Sequence, residues 1–161
     1  IWFRAPPVGR FEYFGDEKKT QSSYDGDWFT MRDMGYQDEA GYVFLTGRTS
    51  ELIISGGVNI YPAEIDAVLL MHPAVADAAA VGVPNEEFGE EVRAVVQLAP
   101  GSAASEALAR ELMDHCRERL AHFKCPTSVE FVAELPRTAT GKLQKFKLRE
   151  SYWKGSQRRI N

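Results

Sequence analysis

A short polar loop near the end of the chain carries the residue best suited to chemistry. The loop runs from Pro136 to Lys142 and reads Pro-Arg-Thr-Ala-Thr-Gly-Lys, which is too polar for a core and too poor in glycine for a linker. It presents Lys142, whose ammonium group is a compact charge with three hydrogen-bond donors. Such a group can bridge a carboxylate and a phosphate oxygen while negative charge builds up. A lone lysine is more often solvated, so this interpretation depends on its neighbours in the sequence.

Two familiar glycine motifs are incomplete in this sequence. Thr140-Gly141-Lys142 has the ending of a phosphate-binding loop, but Pro136 stands where that motif requires its first glycine. Ser55-Gly56-Gly57 lacks the glycine two residues before the serine that a hydrolase nucleophile needs. Neither a Walker-type nucleotide site nor a serine nucleophile is therefore expected.

The histidines and cysteines show no metal-binding pattern. His72, His115 and His122 have no ligand spacing, and each is expected to be a surface or capping residue. Cys116 and Cys125 lie nine residues apart, which matches no common zinc spacing and indicates reduced thiols. No metal site is expected, and reduced thiols favour a cytoplasmic location.

Three segments that could position the loop are predicted to be helices. The first covers 62–71, with proline at its first position. The second has apolar residues at four-residue spacing from Leu108 to Leu120, behind a serine cap at position 102 or 105. The third, 146–154, follows the loop and is expected to stop at Gly155.

The remaining regular segments are predicted to be strands. β-Branched and alternating runs, bounded by glycine or proline, are found at 41–46, 51–54, 75–83, 92–98 and 129–132. The stretch 2–44 is predicted to form small β elements and loops. The order of strands and helices predicts an α+β fold, a small open β-sheet flanked by helices, preceded by a short β-rich part.

Composition and charge limit the function further. The 161 residues are 44% hydrophobic, enough for one domain or slightly more, and no apolar run is long enough for a transmembrane segment. The chain starts without an initiator Met or a signal-peptide pattern, so we expect it to begin inside a longer protein. Residues 137–159 carry eight Lys or Arg and one acid, Glu150. Such a run either forms a solvated helix face or attracts a phosphate-bearing ligand. No nucleic-acid-binding module is recognisable in the sequence.

Further short motifs occur in order along the chain. They lie at residues 26–30, 33, 38–42, 47–48, 53–65, 72–75, 82–84, 88–90 and 135–142. This series, spread over residues 1 to 153, closely resembles the adenylate-forming superfamily. The Ile-Ser-Gly-Gly-x-Asn-Ile-Tyr-Pro form at 54–62 is similar to acyl-CoA synthetases rather than to peptide-synthetase adenylation domains.

The resemblance implies a domain organisation. Residues 1–48 would be the end of the large N-terminal domain that binds ATP and the acid, and residues 49–161 the mobile C-terminal domain. The rest of the large domain, with its phosphate loop and acid pocket, would lie upstream and act as the partner of this part. The chain alone is therefore expected to be inactive.

The resemblance also implies roles in nucleotide chemistry. Lys142 would be the catalytic lysine of adenylation, Asp33 would accept the ribose hydroxyls of ATP, and Arg48 would close the nucleotide site. Ser50 would stand at the hinge between the domains. Before Asp33 the family commonly has Thr-Gly, whereas this chain has Met31-Arg32.

A second group of residues would bind CoA if the resemblance holds. Gly56 and Gly57 match the strand edge, free of side chains, along which the pantetheine arm passes. Phe88 and Phe123 match aromatic residues near the CoA adenine, and Lys124 is expected to assist with the CoA nucleotide.

The implied reaction has two steps. A carboxylic acid, of the fatty-acid class by resemblance, attacks the α-phosphate of ATP, with Mg²⁺ held mainly through ATP, and pyrophosphate leaves. The CoA thiol then attacks the acyl-adenylate and AMP leaves. The alternatives are a stand-alone binding or docking module, and a peptide-synthetase-like or luciferase-like relative.

Overall fold

A computed structural model describes residues 1–6 and 8–154, and the chain divides into two compact units. The first is Ile1–Ser50, and the second begins at Glu51. This division falls two residues after the one expected from the sequence. The functional assignment of the two parts stays a prediction, and the expected helix stop at Gly155 lies outside the described residues.

The first unit is small and rich in short strands. β1 (Phe3–Arg4), β2 (Tyr24–Asp25) and β3 (Trp28–Phe29) form an antiparallel sheet in the order β1-β3-β2. A short helix, α1 (Glu17–Gln21), was not predicted; Asp16 caps it by accepting a hydrogen bond from the backbone N–H of Lys19 at 3.0 Å. Among the described residues of this unit only two are buried, Ser23 and Thr30. The unit therefore has no buried apolar core of its own.

The last two strands of the first unit form a hairpin. β4 (Asp33–Gln37) pairs antiparallel with β5 (Val43–Arg48). The predicted strand at 41–46 is thus shifted, and Gly47-Arg48, expected to separate two strands, lies inside β5. The reason is cross-strand pairing, because Asp33 stands opposite Arg48 and extends the ladder to that residue.

The second unit is built on a five-stranded mixed sheet. β8 (Val75–Asn85) and β9 (Gly89–Leu98) form a long antiparallel hairpin, and β10 (Ser128–Val132) lies parallel to β9. The hairpin of β6 (Ile53–Ser55) and β7 (Val58–Ile60) joins the sheet where Ser55 pairs with Gly89. β7 was not predicted, and β8 continues through a Pro84-Asn85 boundary that the sequence suggested.

Helices cover both faces of this sheet. Ala78 and Ala80 of β8 belong to the main core cluster with residues of α2 (Pro62–Leu70) and α3 (Glu106–Arg117). The alternate residues Ala79 and Val81 belong to a second cluster, against which α4 (Lys145–Tyr152) packs. Side chains on both faces of β8 are buried, which explains its continuous apolar sequence. The predicted open sheet flanked by helices is confirmed.

The three predicted helices form with small shifts of their ends. Ser105 is the cap of α3, since its hydroxyl accepts a hydrogen bond from the Leu108 N–H at 3.1 Å. A 3₁₀ turn, His122–Lys124, links α3 to β10. Within residues 1–6 and 8–154, no helix has the length and apolar character that crossing a membrane would demand.

Candidate functional site

The loop that ends at Lys142 is a tight, internally bonded turn. The Thr138 N–H donates to the Lys142 carbonyl at 2.8 Å, and the Lys142 N–H donates to the Thr138 hydroxyl at 3.0 Å. Gly141 has φ +83°, a value that favours glycine, and its N–H donates to the Thr138 carbonyl at 2.9 Å. The backbone of the loop is therefore fixed by its own sequence.

The side chain of Lys142 is exposed at the C-terminal end of this turn. Among the described residues its ammonium group has no hydrogen-bond or ion-pair partner. Arg137, at the start of the turn, donates to the Gly141 carbonyl at 2.6 Å and forms an ion pair with Asp77 of β8. The structure thus combines a fixed loop backbone with an exposed cation, an arrangement suited to binding an anionic ligand.

The two residues predicted to bind the nucleotide lie together in the first unit. Asp33 and Arg48 face each other across β4 and β5, and the Arg48 Nε donates to Asp33 Oδ1 at 3.0 Å. Each carboxylate oxygen can accept more than one hydrogen bond, so the pair still leaves acceptor sites on Asp33 for hydroxyl groups. This geometry is compatible with their predicted roles, which stay predictions.

The residue before Asp33 has an uncommon backbone conformation. Arg32 has φ +63°, and among the described residues it is the only one other than glycine with a positive φ. Its N–H donates to the Thr30 hydroxyl at 2.9 Å, and its carbonyl accepts from the Thr49 N–H at 3.0 Å. The chain therefore adopts at Arg32 a conformation that favours glycine, the residue that the family commonly has there.

The predicted CoA residues Gly56, Gly57 and Phe88 are neighbours in the second unit. The Gly56 N–H donates to the Phe88 carbonyl at 2.9 Å, and a Cβ on Gly56 would stand 3.1 Å from Phe88 Cδ1. Phe88 is half exposed. The expectation of a strand edge needs a correction, because the two glycines form the two-residue turn between β6 and β7. Their φ values are +55° and +80°, as a primed hairpin turn requires.

The other two predicted CoA residues lie in the 3₁₀ turn before β10. Phe123 is exposed, whereas the Lys124 ammonium donates to Glu64 of α2 at 2.5 Å. Lys124 is thus already paired and would have to leave Glu64 to contact a phosphate. Within the described part of the chain, no hydrogen bond, ion pair or ring contact joins this turn to Phe88 or Gly56.

A buried ion pair that was not predicted from the sequence lies close to the loop. Lys145, three residues after Lys142, is 9% exposed, and its ammonium contacts Asp66 of α2. Burial raises the pKa of the Asp66 carboxyl, and the charge of Lys145 partly offsets that effect. A lysine within a basic run reads as solvated, so nothing local in the sequence indicated this contact.

Among the described residues, the side chains that could bind a metal ion are not clustered. The described residues contain no group of three or more His, Cys, Asp or Glu side chains arranged to hold a metal ion. His72 instead bonds to Glu111 at 3.2 Å, and His115 to the Val68 carbonyl at 3.0 Å. The predicted surface or capping role fits the exposed His122 and, in part, His115; His72 is buried, although its Nδ1 accepts a hydrogen bond from the Ala74 N–H just after α2 at 3.3 Å.

Comparison with curated proteins identifies close relatives. The chain is 41% identical over 157 residues to the fatty acid–[acyl-carrier-protein] ligase ScoC of Streptomyces coeruleorubidus, covering 98% of this chain and 30% of that protein. It is 45% identical to the 2-succinylbenzoate–CoA ligase of Geobacillus kaustophilus, covering 85% of this chain and 27% of that protein. The chain thus spans less than a third of the length of these relatives.

Solved structures and a family model agree with these relatives. ATP-bound MatB from Rhodopseudomonas palustris superposes with a TM-score of 0.78 at 40% identity, over 87% of this chain and 27% of that one. The model of the AMP-binding enzyme C-terminal domain matches residues 64–142, from the start of α2 to the loop lysine. The resemblance predicted from the sequence is confirmed, because this segment matches the C-terminal domain of AMP-binding enzymes and the chain aligns with acid–thiol ligases over 85% or more of its length.

Proposed function

We propose that this chain is part of an AMP-forming acid–thiol ligase that activates a carboxylic acid with ATP and transfers the acyl group to CoA. The observation that carries the proposal is the braced loop that ends in the exposed ammonium of Lys142, inside the segment that matches the family. Relatives named as CoA ligases and the ATP-bound MatB structure support the choice of substrates.

Charge development explains what Lys142 would do in the first step. The acid oxygen forms a bond to the α-phosphorus of ATP, the bond to pyrophosphate breaks, and negative charge accumulates on the phosphate oxygens. A cation that needs no reorganisation stabilises this charge most effectively in a site that excludes water. Mg²⁺ bound through ATP would neutralise further phosphate charge. In the second step the thiol attacks the acyl carbon and AMP leaves.

The remaining predicted residues fit the same proposal. Asp33 and Arg48 would hold the ribose and close the nucleotide site, while Gly56, Gly57 and Phe88 would line the path of the thiol carrier. Ser50 is the last residue of the first compact unit, where a hinge between two domains would be placed. A cytoplasmic location and an upstream partner domain also belong to this proposal.

A second candidate acceptor is the thiol of an acyl-carrier protein. The relative ScoC, which is named as a fatty acid–[acyl-carrier-protein] ligase, aligns with 98% of this chain. Both acceptors would follow the same adenylation step. Supplying CoA and a loaded carrier protein in parallel to the same acyl-adenylate would identify the acceptor.

The test compares Lys142→Ala with Lys147→Ala in the full-length ligase that contains this chain. Lys147 is an exposed lysine of α4 and serves as the matched control. We expect Lys142→Ala to slow acyl-adenylate formation by about 10²–10³, the usual effect of losing one preorganised donor. CoA attack on separately supplied acyl-adenylate should stay near normal, and Lys147→Ala should change neither rate.

Two outcomes would contradict the proposal. An equal loss in both half-reactions would indicate a packing role for Lys142, and no loss in either would make it an ordinary surface lysine. The 161-residue chain by itself provides a further control, since it should release no pyrophosphate above background.

A further inference from the structure

The buried ion pair of Asp66 and Lys145 fastens three elements at one point. The Lys145 ammonium contacts Asp66 of α2 and donates to the Ala80 carbonyl of β8 at 3.3 Å. The other oxygen of Asp66 accepts from the Ala80 N–H at 2.6 Å. Both polar groups of Ala80 thus take part, and Lys145 is the first residue of α4. Helix α2, strand β8 and helix α4 meet in one small network.

The network is directly connected to the loop of Lys142. Lys145 follows Lys142 by three residues, and in between the Gln144 N–H donates to the Pro136 carbonyl at 2.8 Å and closes the base of the loop. Leu143 is paired with Arg137 in an isolated β-bridge. The second attachment is the Arg137–Asp77 ion pair, also on β8. The chain is therefore attached to β8 both at the start of the loop, through Arg137, and three residues after its end, through Lys145.

The energetics of buried ion pairs indicate what this pair contributes. Removing two charges from water costs about as much as their attraction returns, so an apolar pair of similar volume would often stabilise the fold equally well. The pair differs from an apolar pair because it requires one geometry. The ammonium must contact Asp66 and the Ala80 carbonyl at the same time. That requirement fixes where α4 starts, and with it the point where the loop returns to the sheet.

We propose that Asp66 and Lys145 are positioning residues that hold the Lys142 loop in the geometry needed for adenylation. The proposal rests on the proposed function for its catalytic consequence, but the anchoring itself is a property of this chain alone. Lys145 does not touch the substrate; it acts through the backbone that connects it to Lys142.

The first experiment measures amide hydrogen exchange in the 161-residue chain. The double variant Asp66→Asn with Lys145→Met removes both charges, leaves no lone buried charge, and keeps an acceptor for the Ala80 N–H. We expect the amides of Thr138, Lys142 and Gln144 to exchange about tenfold faster or more, since the loop opens locally. Amides of Val95 and Val96 in β9 should be unchanged.

Two further variants make this measurement decisive. Lys145→Arg keeps the charge and should leave loop exchange within about twofold of the original. Arg117→Met, which removes the cation of an exposed ion pair with Asp114 in α3, should have no effect on the loop. Unchanged loop exchange in the double variant, or uniform acceleration of loop and strand amides, would overturn the anchoring proposal.

The second experiment applies the same variants to the full-length ligase. The double variant should lower the rate of acyl-adenylate formation at saturating ATP about tenfold, with KM for ATP and the CoA step unchanged, because only the placement of Lys142 is affected. Lys145→Arg should retain most of the rate. Equal losses in both steps would overturn the positioning role. If loop exchange responds as expected but Lys142→Ala has no effect on adenylation, the proposed function fails and the anchoring stands.

Discussion

The two cysteine thiols lie inside the second unit, and their acidity follows from that position. Cys116 is fully buried in the main core cluster, and burial raises the pKa of its thiol to about 11; the nearby Cys125 adds to the shift. Burial also raises the pKa of the Cys125 thiol. Thiolates, the reactive form, are therefore disfavoured at both positions at neutral pH. The cysteines act here as small apolar core residues.

Cys116 gives the protein a defined pH dependence at alkaline pH. Its folded pKa lies above its ordinary value near 9, so its contribution to stability is complete below about pH 9 and is lost as the pH rises through about 11. A shift of this size corresponds to about 3 kcal/mol. We expect the free energy of unfolding to fall by less between about pH 8 and pH 10.5 in Cys116→Ala than in the original chain.

The same comparison contains its own control. Burial and, to a lesser extent, hydrogen bonding to Glu130 raise the pKa of Tyr152 to about 12, but Tyr152 is present in both proteins and its contribution cancels. Urea unfolding at the two pH values provides the measurement. Parallel losses of stability in the two proteins would show that the Cys116 thiol does not titrate differently in the folded state.

The roles of residues that lie in sequence motifs could be predicted from the sequence. The roles of residues that depend on packing against distant parts of the chain could not. Asp33, Arg48 and Lys142 stand in ordered motifs, so they could be proposed from the sequence, and the structure pairs the first two. Lys145 looked like one more charge in a basic run. Its burial depends on Asp66, 79 residues away in sequence, which no local pattern reveals.

At the scale of elements, long apolar runs were easier to predict than short strands. β8 and β9 have continuous or alternating apolar sequences because helices cover both faces of the sheet. β7 has only three residues and follows two glycines whose predicted role was to leave room for a ligand. The turn itself requires those glycines, so a structural demand and the proposed binding role coincide at the same place.

Gly57 allows the structural demand of this turn to be measured separately. It has φ +80°, and a Cβ placed there would meet nothing within 4 Å, so a substitution tests backbone strain without a clash. We expect Gly57→Ala to lower the free energy of unfolding by about 1 kcal/mol, and Gly57→Asn to lower it by less, because asparagine tolerates the left-handed region. Gly56 is unsuitable, since its Cβ would press on Phe88.

Denaturant unfolding of the two variants provides the measurement. A Cβ at position 57 would meet no atom within 4 Å, so the Ala and Asn variants should differ little in packing. Their difference in stability therefore reports the cost of the left-handed backbone conformation. Equal stability of Gly57→Ala and the original chain would contradict the primed turn and return these glycines to a role in ligand clearance alone.

At the scale of the whole molecule, apolar burial is concentrated in the second unit. Its main cluster contains Ile53, Ile65, Leu69 and Leu112, all with no exposed surface, whereas the described residues of the first unit bury only Ser23 and Thr30. Composition averaged over the 161 residues concealed this difference. The order of motifs had suggested it, because only residues 49–161 were expected to form a whole domain.

This contrast predicts how the chain responds to a protease. Burial of apolar surface is the main source of stability, so the first unit should open far more often than the second. We expect brief digestion with trypsin to cut first at Arg10, Lys18, Arg32 or Arg48 and to leave a resistant product that begins after one of these residues. N-terminal sequencing and mass spectrometry of the products against time provide the measurement.

In Leu112→Ala, which should cost about 2–5 kcal/mol of core stability, the resistant product should be degraded much sooner. Equal rates of cleavage in both units of the original chain would show that the first unit is stabilised by contacts other than apolar burial.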